Sequence, residues 1–96
     1  MKELLERILG QIQQTPDKVR AYEDLYYICL ETKKTDIPLA VEYLKKLSDF
    51  IERRIPKSAT DKELRSLFML HKKVLLAAAP FDFESYLLYV EWEREP

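Results

Sequence analysis

The sequence predicts an all-α fold, and three observations carry that reading. Apolar residues recur at helical spacing over five successive segments. Only one glycine occurs, against five prolines, and the prolines fall at segment edges. No alternating strand pattern or glycine-rich loop interrupts the series. With 96 residues, 47% hydrophobic and 34% charged, the chain suits one domain with one core. The expected architecture is a compact bundle of about five antiparallel helices packed as helical hairpins.

Leu4, Leu5, Ile8, Leu9 and Ile12 form one stripe, which predicts a first amphipathic helix over residues 2–13. In "TPDKV", Thr15 reads as the N-cap of a second helix with Pro16 at its first position, where a missing N–H costs nothing. Val19, Tyr22, Leu25, Tyr26 and Cys29 mark that helix's buried side, and it should end near Thr32. Asp36 caps a third helix, whose inner face is Leu39, Ala40, Tyr43, Leu44, Leu47, Phe50 and Ile51, and which Pro56 terminates.

"TDKE" at residues 60–63 is a capping box: Thr60 accepts from the Glu63 N–H while the Glu63 carboxylate reaches back to the N–H of Thr60. The fourth helix that follows carries Leu64, Leu67, Phe68, His71, Val74 and Leu75 inward and stops at Pro80. Asp82 caps a fifth, running to about Glu93. The stretch "AYEDLYYICLETKKTDIPLAVEYLKKL" resembles a tetratricopeptide helix pair, with Tyr22, Leu25 and Ala40 in the expected order, though at longer spacing and without a second copy.

With 16 basic and 17 acidic residues the chain has no overall pull toward nucleic acid or membrane. Charge is segregated, however: Lys33–Lys73 holds 11 basic residues against 6 acidic, and from Asp82 onward 5 acidic residues stand against Arg94. Arg53, Arg54, Lys57, Lys62 and Arg65 gather around the turn between the third and fourth helices. They are candidate contacts for DNA or an acidic partner, and DNA binding through them is expected to be weak and salt-sensitive. A lone Cys29 points to a reducing compartment, and the charged N-terminus "MKELLERILGQIQ" does not read as a signal peptide, so a cytoplasmic location is expected.

No cofactor, metal or catalytic residue is expected. The single glycine cannot form a phosphate loop, and one histidine and one cysteine on different helices do not make a ligand set. His71 lies on an apolar face with no partner suggested by sequence motif, which fits a hydrogen-bonded histidine at the core edge.

The last helix draws attention because five of the eleven aromatic residues lie in "FDFESYLLYVEWEREP". At 100° per residue, Phe83, Tyr86, Leu87 and Val90 share one face, enough to dock the helix on the bundle. Leu88 and Trp92 project from the opposite side, with Tyr89 between. The expectation is that Leu88, Tyr89 and Trp92 form a partner-binding anchor, with Glu91, Glu93 and Glu95 as its acidic rim.

"APFDFESYLLYVEWEREP" resembles the region just upstream of the motor domain in tailed-phage terminase large subunits, where an aromatic helix ends in a Glu-Trp-x-Arg-Glu-Pro pattern. The resemblance covers about residues 79–96. It implies an amino-terminal docking module preceding an ATPase, working in the bacterial host cytoplasm. The partner would be a terminase subunit or the downstream domain, or a second copy through self-association. A free-standing tetratricopeptide-like adaptor and a small nucleic-acid-binding regulator are the alternatives.

Overall fold

Four of the five helices begin where a side chain accepts a backbone N–H left unpaired at the helix start. The computed structural model describes residues 2–94 and contains α1 (Lys2–Ile12), α2 (Lys18–Lys33), α3 (Ile37–Arg54), a 3-10 turn (Ile55–Lys57), α4 (Asp61–Ala78) and α5 (Phe83–Arg94). The all-α expectation holds: no strand occurs among the described residues.

Asp36 accepts from the Leu39 N–H at 3.1 Å and Thr60 from the Glu63 N–H at 3.1 Å, as the sequence predicts for the starts of α3 and α4. Asp82 caps α5 by accepting from the Ser85 N–H at 3.0 Å and the Ser85 hydroxyl at 2.8 Å.

Two local expectations change. Thr15 does not cap α2: its hydroxyl donates back to the Gln11 carbonyl at 2.9 Å, at the C-terminal end of α1. Asp17 caps α2 instead, accepting from the Arg20 N–H at 3.1 Å, so Pro16 lies outside the helix. A carboxylate suits the positive end of the helix dipole better than a hydroxyl. In the capping box, Glu63 reaches past Thr60 to accept from the Ala59 N–H at 3.1 Å and from the Arg54 guanidinium at 2.7 Å.

The helices stack in chain order, α1 on α2, α2 on α3, α3 on α4 and α4 on α5, with α2 also touching α4. The result is a slab with Cα extents of 36 × 33 × 16 Å. Leu25, Tyr43, Leu44, Leu47, Ile51 and Leu67 fill its centre, and Tyr22 stacks on Phe50 at 6.5 Å. Of the predicted inward positions of α4, Phe68 is instead exposed on the side facing α5.

The two ends of the stack differ. Apart from Leu4 and Gly10, the exposed side of α1 is polar: Lys2, Glu3, Glu6, Arg7 and Gln11. The exposed side of α5 mixes Phe83, Tyr86 and Leu87 with Glu84, Glu91, Glu93 and Arg94. No described helix is long and apolar enough to cross a membrane.

Candidate functional site

Helix α5 has apolar residues all around, so periodicity alone cannot say which side meets α4. The structure reverses the expected assignment. Ser85 is fully buried and Leu88 and Trp92 are half-buried against the bundle. The indole of Trp92 lies 5.2 Å from the Phe68 ring and stands edge-on to the His71 ring, also at 5.2 Å. Leu88 and Trp92 are therefore not an outward anchor. Phe83, Tyr86 and Leu87, expected to dock, are exposed at 73%, 49% and 45%, with half-buried Val90 between them.

Ion pairs border the Ser85–Leu88–Trp92 face at both ends of α5. Lys45 of α3 reaches Asp82 at 3.5 Å and Glu84 at 3.6 Å, and Lys72 of α4 meets Glu93 at 2.7 Å. These pairs are mostly solvent-exposed and contribute little, so the packing of Ser85, Leu88 and Trp92 against the bundle carries the docking. The indole, the largest side chain on the helix, then gains aromatic neighbours that the other face would not give it.

The predicted acidic rim divides accordingly. Glu93 is held by Lys72, which keeps its carboxyl below the usual range, and Tyr89 is half-buried beside that pair. Glu91 is exposed and forms no ion pair among the described residues. Glu95 lies outside the described residues.

The basic turn is also partly consumed. Arg54 is bound to Glu63 at 2.7 Å and holds that carboxyl below its usual range, joining the end of α3 to the start of α4. Arg53, Lys57, Lys62 and Arg65 remain exposed, without ion pairs among the described residues.

Behind Trp92 lies a buried polar contact that sequence motifs did not suggest. Ser48 Oγ of α3 is 2.9 Å from His71 Nε2, and Glu52 Oε1 is 3.8 Å from the same nitrogen, while Nδ1 is buried without a partner. A buried lone pair costs less unsatisfied than a buried N–H, and Glu52 favours a proton facing it. This assigns the proton to Nε2, donating toward Ser48, with Nδ1 bare. Burial pushes the ring's pKa below its ordinary 6.5, so it is neutral near pH 7. Hydroxyl and carboxylate approach the same nitrogen, whereas a nucleophile relay needs them on opposite ones. The contact fastens α4 to α3. Its only sequence signal was that Ser48 and Glu52, four apart, share a side of α3.

A crevice of about 230 Å³ opens beside this contact, between Glu52, His71, Leu75, Leu88, Glu91 and Trp92. A second hollow, of about 210 Å³, lies between α2 and α4 and is lined by Tyr26, Tyr27, Met69 and Lys73, of which Tyr27 and Met69 are well exposed. Among the described residues no group of three His, Cys, Asp or Glu side chains converges on a common point. Compared with protein-family models, curated proteins and solved structures, the chain gives no significant match.

Proposed function

We propose that this chain is a non-catalytic helical docking module that receives a partner helix on the outer face of α5. One observation carries this reading: the stack has a polar face at α1, whereas α5 leaves Phe83, Tyr86 and Leu87 exposed with the Phe83 and Tyr86 rings stacked at 6.4 Å. An apolar face rimmed by charge suits a complementary apolar stripe. The rim is Glu84, Glu91 and Arg94, a net acidic border, so the fitting partner is an amphipathic helix with basic flanks.

The resemblance of residues 79–96 to the region before the motor of tailed-phage terminase large subunits suggests a setting for such a module. The partner would then be a helix of another terminase subunit or of the motor itself. A peptide-binding adaptor is the second reading, favoured by the exposed Tyr27 and Met69 in the hollow between α2 and α4.

The readings separate in an NMR titration of the labelled protein with an amphipathic helical peptide of about 20 residues carrying a leucine stripe flanked by lysines, beside its glutamate-flanked counterpart. The docking reading expects shifts at Phe83, Tyr86, Leu87 and Val90 with the lysine peptide only, lost in Leu87→Glu. Shifts centred on Tyr27 and Met69 favour the adaptor, and equal response to both peptides refutes the basic-flanked partner.

A further inference from the structure

We propose that His71 is an acid-sensitive latch for the C-terminal half of α5, so that proton uptake by this ring loosens the Leu88–Arg94 turns from α4. The inference concerns how α5 is held and stands whether or not its outer face takes a partner. His71 is 4% exposed, sits under Trp92 and is the only histidine in the chain.

Beside α4 itself, α3, α5 and the 3-10 turn surround the ring. From α3 come the Ser48 hydroxyl at 2.9 Å and the Glu52 carboxylate at 3.8 Å, both on Nε2. From α5 come the Trp92 edge and, along the same crevice, Glu91. The 3-10 turn contributes uncharged Ile55. On α4 itself Lys72 and Lys73 are exposed, and Lys72 is held by Glu93. None of these partners Nδ1.

A second proton must therefore go to Nδ1, creating a buried N–H with no acceptor on a ring that now carries charge. Glu52 opposes this by favouring the charged ring, but it is half exposed and screened, and it faces the nitrogen that already holds a proton. Opening α5 removes the Leu88 and Trp92 walls from the crevice beside His71, which admits water to the ring and lowers the penalty. That helix can move because it buries only Ser85 completely, whereas α3 and α4 bury Leu47, Ile51, Leu67 and Val74 in the core.

Trp92 is the only tryptophan, so its emission reports this contact directly. The test follows Trp92 emission and amide hydrogen exchange of residues 88–94 from pH 7.5 to 5.0, in the native chain and in His71→Gln. The glutamine amide can keep donating to Ser48 but takes no proton. The native chain should show a red-shifted emission and exchange about tenfold faster than the intrinsic pH dependence allows, with no such change in His71→Gln. Unchanged or increased protection at pH 5.0, or an equal acid response in His71→Gln, overturns the latch. Should His71→Gln fail to fold, Glu52→Gln decides: loss of the opposing carboxylate should enlarge the acid response, and a smaller response refutes the proposal.

Discussion

Trp92 stands edge-on to His71, ring centroids 5.2 Å apart and planes inclined at 76°. This contact fixes which side of α5 holds the fold and which side is left over. The indole packs on the His71 and Phe68 rings, so the inner face of α5 is a stability element. Trp92→Ala should therefore lower stability by about 2 kcal/mol, below the range for a fully buried aromatic because the indole is half-exposed. Thermal unfolding checks this, and a loss under about 0.5 kcal/mol would return Trp92 to the surface class.

The start of α4 depends on the Thr60 hydroxyl, which accepts the Glu63 N–H at 3.1 Å. Thr60→Ala should cost about 1 kcal/mol, and Thr60→Ser much less, because only the hydroxyl is needed. Urea unfolding of the two variants tests the cap, and equal losses in both would contradict it.

Cys29 is fully buried, and burial pushes its thiol up to about 12. The folded protein should therefore resist aromatic disulfide reagents, with labelling at the rate of unfolding. Rapid modification under native conditions would show that α2 opens far more readily than its packing implies.

Stability should fall with acid in two stages. The lowered pKa of His71 means that the unfolded chain binds more protons below its ordinary 6.5, so stability declines from about that pH toward the folded value. Glu63, Asp82 and Glu93 are also lowered, from 4.5, 3.8 and 4.5, so their contribution is present above those values and disappears as pH falls further. Urea midpoints from pH 8 to 3 test this, and a midpoint that rises between pH 7 and 5.5 would contradict the first stage.

The five helices were legible because their boundaries are local. Asp36, Thr60 and Asp82 sit immediately before apolar periodicity, and each accepts the N–H three residues on. Thr15 misled because two adjacent candidates, Thr15 and Asp17, can both accept, and only the structure shows Thr15 bonded back into α1. The two faces of α5 were also legible, but not which one turns inward. That choice rests on tertiary packing, chiefly Trp92 against Phe68 and His71 of α4. Ser48 and His71 are 23 residues apart, and no local pattern announces their contact.

The most direct test of the central claim, that the outer face of α5 is spare to the fold and available to a partner, is the thermal unfolding midpoint of the Phe83→Glu/Leu87→Glu double variant. If the face is spare, the midpoint should stay within about 4 °C of the native chain, the shift expected from a surface change of about 0.5 kcal/mol, while Trp92→Ala falls well below it. A double variant that unfolds as early as Trp92→Ala would mean that Phe83 and Leu87 hold the bundle together, and the docking face would not exist.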